Sequence, residues 1–587
     1  MSSATVTATL AGGEFLLRDV PPDLVFTPED FTEEHRAIAK TTEDFWTSEA
    51  VPRLDALQHQ EPGVAVGLLR KSAQLGLTSV VLPEQYGGMG LDFTTMMIVA
   101  EGVAKDGSYA AWHGAQTGIG TLPILFFGTE DQKQRYLPKL ATCEMIAAYC
   151  LSEAHAGSDA MAAKTTAKLS EDGSHYVLNG QKMWITNGAA ADLYTVFAKL
   201  DGKLTAFLVE RGFEGVRQGA EEKKMGIKGS STCAIYFDNV RVPISNLLGE
   251  IGRGHVIAFN ILNIGRLKLG AFAAGGAKQV LAQSIRYAKD RVAFGKPIAE
   301  FGMIQHKIAE MAAYLYAAES MTYRVEGMIG DAAGTLGSSE PESASRVLKA
   351  AEEYAIECSF VKVFASEMLD YVVDEGVQIH GGYGYHQDYA VERAYRDSRI
   401  NRIFEGTNEI NRLLATGMLL KRAQRKQLPL VEAVQKLQSQ LLEPLSNGPG
   451  HNDPELQILQ NSKKIALLLL GIAYQRFGAE IENQQEILAG ISDCMMASFA
   501  FESCLLRSRK KKSASSLAPS YTVLYMQHAL REIERAATET IAACSDGDER
   551  RTNLAILRKL LRHDVTDVIA LRRTVAQRLC ELGKYTV

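Results

Sequence analysis

The chain has no Cys-x-x-Cys pair, and its eight cysteines, at positions 143, 150, 233, 358, 494, 504, 544 and 580, form no His/Cys cluster at metal spacing. A structural zinc site and a redox dithiol are thereby excluded, and reduced, mostly buried thiols are expected. There is no P-loop and no Gly-x-Gly-x-x-Gly following a strand, which rules out a Rossmann enzyme, so any cofactor must be held differently. Excess positive charge is missing too. With 63 Lys and Arg against 69 Asp and Glu the net charge is −6; no nucleic-acid partner is expected, while a local basic pocket for a phosphorylated ligand remains allowed. The longest apolar run in the helical regions, Ile465 to Ile472, falls far short of the ~20 residues that cross a bilayer. The leading segment MSSATVTATLAGGEF has no basic stretch followed by an apolar core, so neither signal nor transit peptide is read there and a cytoplasmic location is the default expectation.

What is present is an ordinary globular balance, 46% hydrophobic and 22% charged over 587 residues, long enough for roughly three or four domains. Residues 1 to about 27 read as a polar, Pro-containing arm, lying on the surface or partly disordered. From Thr27 to Cys150 apolar residues recur at three and four behind the helix starts Thr27-Pro-Glu-Asp and Thr32-Glu-Glu, which predicts about five or six helices. Small residues crowd positions 110 to 120 (Ala110, Ala111, Gly114, Ala115, Gly118, Gly120); they either admit a close-packed neighbour, the preferred reading, or leave room for a ligand. Near Cys150 the period turns to alternation, and Asp172-Gly173, Asn179-Gly180, Asp201-Gly202 and Asp238-Asn239 punctuate short runs. These predict hairpins, with Asn179-Gly180 the strongest turn signal. Long helical segments follow at 265–291, 301–329, 340–376 and 389–400, the pattern of an antiparallel bundle, with a break at Gly334–Ser339. After a second break, Asn447 to Pro454, the rest is helical and carries the basic run Arg507-Ser-Arg-Lys-Lys-Lys512. That run reads as a solvated loop, or as a peripheral contact with anionic lipid at the inner face of a membrane. The whole predicts an α+β protein: a helical domain at 28–149, a β domain at 150–254, a helical bundle at 255–421 and an additional helical domain at 424–587.

The stretch RDSRINRIFEGTNEINR, residues 396 to 412, isolates one acid, Glu405, between Phe404 and Gly406. Gly-Thr-Asn behind it can open the next helix, with Thr407 or Asn408 as cap, and so Glu405 belongs on a loop between helices. A glutamate beside an aromatic ring and a glycine can be desolvated when a ligand closes over it, which makes the anion a stronger base; taken alone, the pattern reads more readily as a solvated surface-loop carboxylate.

Tyr149-Cys-Leu-Ser-Glu-Ala-His-Ala-Gly-Ser-Asp159, Trp184-Ile-Thr186, Arg291-Val-Ala-Phe-Gly-Lys-Pro-Ile and Gln378-Ile-His-Gly-Gly-Tyr-Gly-Tyr385, together with the Glu405 stretch, resemble the acyl-CoA dehydrogenase flavoenzymes, and among them the very-long-chain type with an extra C-terminal helical domain. The resemblance spans nearly the whole chain and implies FAD as cofactor. Tyr149, Leu151, Ser152, Gly157 and Ser158 would lie against the flavin, with Ser158 also touching substrate; where the family usually has proline, this chain has Ala154. Trp184, Ile185 and Thr186 would lie along the isoalloxazine ring, with Thr186 donating near N5. The resemblance assigns Arg291, Phe294, Phe301 and Gln305, with Gln378, Gly381 and Gly382, to the FAD of a neighbouring subunit, which implies a homo-oligomer, a dimer by the branch it resembles. His380 reads as a structural histidine. Thr407, Asn408 and Glu409 fall at flavin contacts, and Asn263, Arg266 and Gly406 at substrate contacts. Glu405 takes the place of the catalytic base: it would remove the α proton of a thioester whose carbonyl is polarised by the Glu405 N–H and a flavin ribityl hydroxyl. Hydride would leave Cβ for the flavin, giving trans-2-enoyl-CoA in fatty-acid β-oxidation, with electron-transfer flavoprotein as acceptor. The competing readings are an acyl-CoA oxidase-like enzyme and a scaffold or assembly protein retaining the fold.

Overall fold

A computed structural model describes residues 10–334, 343–442, 453–510 and 516–587. The first domain holds α1 (Glu33–Phe45), α2 (Leu54–Gln58), α3 (Val64–Gln74), α4 (Phe93–Val103), α5 (Gly107–Gly114), α6 (Leu122–Phe127) and α7 (Glu130–Ala141), more than the sequence pattern predicted because glycine and proline cut the apolar stretches short. Side-chain caps set the starts. Thr32 accepts from His35 N–H before α1, Asp92 from Thr95 N–H before α4, and Asp106 from Ser108 and Tyr109 N–H before α5.

The middle domain is one mixed sheet: β1 (Ala147–Cys150), β2 (Thr166–Leu169), β3 (His175–Thr186), β4 (Leu193–Leu200), β5 (Lys203–Glu210), β6 (Val216–Glu221), β7 (Thr232–Pro243) and β8 (Leu247–Leu248). The strand order is β6-β7-β3-β2-β4-β5-β8, with β1 parallel to β4. Asp201-Gly202 makes the expected tight β4–β5 turn, with Leu200 paired to Lys203. Asn179-Gly180 does not turn. β3 runs straight through it, with a register shift against β7 between Leu178 and Gly180. Asn179 Nδ2 donates to Asn239 Oδ1 at 3.1 Å and Asn239 N–H returns the bond to Asn179 Oδ1 at 2.9 Å, so side chains fill the gap in the ladder. Glycine is required at 180 because a Cβ would lie 2.8 Å from Thr165 Cα.

The bundle comprises α8 (Gly254–Asp290), a short hairpin of β9 (Val292–Ala293) and β10 (Lys296–Pro297), then α9 (Gly302–Ala333), α10 (Ser343–Glu353), α11 (Ala355–His380), α12 (Ala390–Ser398) and α13 (Asn408–Gln424). The additional domain adds α14 (Leu430–Leu442), α15 (Pro454–Phe477), α16 (Gln485–Lys510), α17 (Ala518–Cys544), α18 (Gly547–Leu560) and α19 (Val568–Leu582). The sequence breaks at 335–339 and 447–452, like Lys511 and Lys512, lie outside the described residues. α8 and α16 are apolar and long enough to span a bilayer by composition, but 72% and 89% of their apolar windows are buried inside the protein. Both are core helices.

Buried ion pairs dock the additional domain on α9: Arg324 to Glu502 at 2.8 Å, Arg507 to Glu319 at 2.6 Å and Arg572 to Glu310 at 2.5 Å. Removing one partner of such a pair leaves a buried charge at a cost of about 3–5 kcal/mol. Arg507 also pairs with Glu29, Arg509 with Asp453 and Glu455, and Lys510 with Asp30. These three members of the basic run are therefore committed within the chain and are not free for lipid headgroups.

From residue 10 onward the leading segment is not a surface arm; residues 1–9 lie outside the described residues. Residues 10–30 form a strap between bundle and additional domain, in which Leu10, Phe15 and Leu16 are buried. The Phe15 ring meets Phe360 of α11 at 6.2 Å and Phe499 of α16 at 4.9 Å. The Gly12 and Gly13 amides donate to Glu353 and Glu357, and Lys463 donates to the Arg18 carbonyl. Phe15 is decisive because it finds two walls, although Leu24 stays exposed.

Candidate active site

Glu405 ends the turn that follows α12, where the Ile403 and Phe404 amides both close on the Ile400 carbonyl. Its backbone is left-handed, with φ 58°, and Gly406 follows at φ 81°. Such a conformation is costly for a glutamate and persists only where its surroundings enforce it. The enforcement is visible. Arg266 Nε donates to the Glu405 carbonyl at 3.1 Å, its Nη1 donates to Asn263 Oδ1 at 2.8 Å, and Asn411 Nδ2 donates to the Gly406 and Thr407 carbonyls. Thr407 caps α13 by accepting from Ile410 N–H.

The residue is half-buried as a whole, yet its carboxylate Oε2 is sealed from solvent and has no hydrogen-bond partner. Burial raises the carboxyl to about 7, against the opposing pull of Arg266, Lys362 and Lys268. The two lysines are themselves pushed down to about 7 by burial, although the charge of Glu405 favours their protonated forms. Lys268 Nζ donates to Thr117 Oγ1 at 2.6 Å and Lys362 Nζ to Asn408 Oδ1 at 2.7 Å. Three groups thus change charge near neutrality around one point. Tyr149, buried and with its hydroxyl unpartnered, is raised well above the usual tyrosine range by burial and then by the charge of Glu405.

Glu405 and Thr186 line a cavity of about 360 Å³. It follows one face of α8, where Ile261, Gly265, Lys268, Phe272, Gly276 and Gln279 recur at helical spacing, and its opposite wall is α5 with the π-helical turn Ala115–Gly120. Ala110, Ala111, Gly114, Ala115 and Gly118 therefore leave room, contrary to the packing reading, although Gly114 also fits tightly against Phe272. Gly265 faces the Glu405 carboxylate directly. A Cβ there would fall 2.9 Å from Glu405 Oε2 and 3.0 Å from Oε1.

The expected site residues fall into two clusters. In the first, Ser152 accepts from Met183 N–H, which lays Leu151 and Ser152 beside the end of β3 that carries Trp184, Ile185 and Thr186. Trp184 is not core: a register shift between Lys182 and Ile185 lifts it out of the ladder, with φ 57° and 55% of its surface exposed. Ile185 is buried beneath, and Gly157 and Ser158 are exposed on the adjoining loop. Arg266 and Asn263 stand behind Glu405 as its support and do not form the cavity wall; Gly406 packs against Arg266 and Asn411. The Asn408 side chain turns inward to Lys362, Ser366 and Glu367, and Glu409 is exposed.

The second cluster lies at the other end of α8. Arg291 sits 5.7 Å over the Tyr383 ring, the Phe294 and Phe301 rings are 6.0 Å apart, and Gln378, Gly381 and Gly382 are exposed alongside. From Gly265 to Arg291 the helix rises about 39 Å, so one chain cannot bring both clusters to the same reacting centre. His380 is structural as expected, with Nδ1 on the Gly376 carbonyl at 2.7 Å and the ring stacked on Tyr287.

Sequence reasoning missed Lys268, Lys362 and Gly265, and also the buried pair of Lys182 with Glu153 at 2.7 Å that pins the Tyr149–Asp159 loop to β3. Lys362 gave a signal, since it interrupts the apolar run Phe360-Val-Lys-Val-Phe364 of a core helix, whereas Lys268, two residues from Arg266, gave none.

Family models described as acyl-CoA dehydrogenase N-terminal, middle and C-terminal domains match residues 32–144, 148–240 and 252–419, and a further acyl-CoA dehydrogenase C-terminal model matches 461–559. A probable acyl-CoA dehydrogenase of Bacillus subtilis is 50% identical over 98% of this chain and 98% of its own. The human mitochondrial very-long-chain specific acyl-CoA dehydrogenase is 42% identical over 61% of this chain and 53% of its own length. A crystal structure of an acyl-CoA dehydrogenase from Bacillus anthracis, complexed with FAD, superposes with TM-score 0.95 at 49% identity, covering 98% of this chain and all of that one. With that likeness along its full length, the chain belongs to the acyl-CoA dehydrogenase family.

Proposed function

We propose that the protein is an FAD-dependent acyl-CoA dehydrogenase that converts long-chain acyl-CoA to trans-2-enoyl-CoA in fatty-acid β-oxidation and passes the electrons to electron-transfer flavoprotein. The observation that carries this reading is the Glu405 carboxylate, desolvated and unpartnered, at one end of a long apolar cavity. The residues present suit a flavin: Trp184 and Thr186 end the same strand beside the base, and the Tyr149 hydroxyl and Glu405 Oε2 are both buried without partners. FAD, when bound there, would supply the acceptor for the hydrogen leaving Cβ as hydride.

The remaining chemistry belongs to the chain. Glu405 removes the α proton, and its elevated basicity comes from the same burial that denies its anion water. The Glu405 N–H makes no hydrogen bond among the described residues, which leaves it free to donate to the thioester carbonyl as negative charge develops. Arg266 fixes the loop through the carbonyl of the same residue, so base and donor are set by one strained turn. Lys268 and Lys362 offset the base's charge without touching it, which favours the ionised form before the proton moves and costs little after. The small residues of α5 open the wall to a long chain. A homodimer in which each Arg291 meets the partner's FAD pyrophosphate accounts for the second cluster, whose Phe294 and Tyr385 are 96% and 87% exposed in one chain.

The test is anaerobic mixing of the yellow enzyme with hexadecanoyl-CoA. Rapid bleaching of the flavin, with one enoyl product formed per flavin reduced, is the expected result; an unbleached flavin overturns the reading.

A further inference from the structure

The cavity does not end in hydrocarbon. Its lining also carries polar residues on three helices. α8 changes from Phe272, Ala273 and Gly276 to Gln279 and Gln283; α12 presents Arg393; and the approach to α5 presents Lys105 and Asp106. Arg393, Asp106 and Lys105 have charged partners, while Asp397, also on α12, accepts from Ile227 N–H through Oδ1 and keeps a buried Oδ2 without a partner. Arg393 Nε lies 3.3 Å from Asp106 Oδ2, Asp106 caps α5, and Lys105 is paired with Glu43. Gln279 and Gln283 are different. They stand one turn apart on the cavity face of α8, half-buried, and their amides make no hydrogen bond among the described residues. A hydroxyl carried into an apolar tunnel loses its water and is penalised unless a partner waits for it. Here two amides wait.

Resting on the acyl-CoA reading above, we propose that this distal end is a binding site for a polar group, a hydroxyl or carboxylate, at the far terminus of the acyl chain, with Gln279 and Gln283 as its hydrogen-bonding residues. The spacing sets the chain length. Along α8, Gly265 at the base and the two amides are about 21 and 27 Å apart at 1.5 Å per residue. About 4 Å of each span is taken by the terminal oxygen and its hydrogen bond; an extended chain advances about 1.25 Å for each ~1.5 Å carbon–carbon bond, so the remaining ~17 and ~23 Å from Cα suit acyl groups of about 16 to 20 carbons. Chains of that length lacking the terminal oxygen leave both amides facing hydrocarbon, and a site built around hydrogen bonds discriminates against such analogues.

The experiment compares kcat/KM for hexadecanoyl-CoA, ω-hydroxyhexadecanoyl-CoA and the mono-CoA thioester of hexadecanedioic acid, in the parent holoenzyme and in Gln279→Leu/Gln283→Leu. In the parent, at least one oxygenated chain is expected to exceed the plain chain by about tenfold, the worth of one or two net hydrogen bonds, mainly through a lower KM. The double variant should bring that ratio to one or below. Which oxygenated chain gains identifies the terminus recognised. If the plain chain is oxidised as well as both others, or if the ratio survives in the variant, the distal site is refuted while the dehydrogenase reading stands. If none of the three reduces the flavin, both fall together.

Discussion

Replacing Glu405 by glutamine should make the protein less active and, above neutrality, relatively more stable. The carboxyl titrates near 7 in the folded chain against an ordinary 4.5. A folded-state carboxyl that holds its proton more tightly than the unfolded chain does lowers stability as pH rises between those two values, with the full cost reached above the folded value. At 1.36 kcal/mol per unit, the linkage cost is about 1 kcal/mol at about pH 5 and about 3 kcal/mol at about pH 8. Lys268 and Lys362 lose charge in the same range, so the difference of about 2 kcal/mol is an upper bound. Glutamine keeps the shape and has no proton to give up, so Glu405→Gln relative to parent should gain up to that amount between the two pH values. The assay is thermal unfolding of both proteins across the range, beside single-turnover flavin reduction. Parent kcat/KM should fall about tenfold per unit below pH 7, and the variant should lose about 10⁴-fold or more of flavin reduction. A flat parent pH profile, or a stability difference independent of pH, would refute the assignment of Glu405 as a desolvated base.

Gly265→Ala should push the carboxylate aside, because the added Cβ would sit within 3.0 Å of both its oxygens; about a 10²-fold loss of kcat is expected, with FAD content unchanged by absorbance. In Lys268→Met the base loses a neighbouring cation, which should move the acidic limb of kcat/KM upward by on the order of one pH unit; an unmoved limb places Lys268 outside the electrostatics of Glu405. Phe15→Ala should cost about 3–5 kcal/mol, visible in chemical denaturation as earlier release of the additional domain, with the first transition at lower urea.

Much of this architecture is written locally. Caps such as Thr32 and Thr407 and the Asp201-Gly202 turn act through neighbours a few residues away, so they can be read from the chain. Glu405 was legible only through the motifs around it, because a glutamate between an aromatic residue and glycine is by itself as well suited to a solvated loop. Features set by distant partners were not. Asn179-Gly180 has the chemistry of a turn, but Asn239, sixty residues on, turns it into a bulge. The polar look of the leading segment hid Phe15, whose value depends on Phe360 and Phe499. The glycine at 265 looked like any helical glycine until the carboxylate it accommodates was placed beside it.

The strap also sets an order of events during synthesis. Its Gly13 amide waits for Glu357, 344 residues later, and its Glu29 for Arg507, 478 residues later. At ribosomal rates of about 5–20 residues per second, Phe15 must remain uncovered for tens of seconds while the chain lengthens. The segment that emerges early is thus among the last to settle, and the nascent protein carries a sticky leading end for most of its birth. The contact that latches Phe15 in the finished protein is the one whose late arrival leaves it bare while the chain is made.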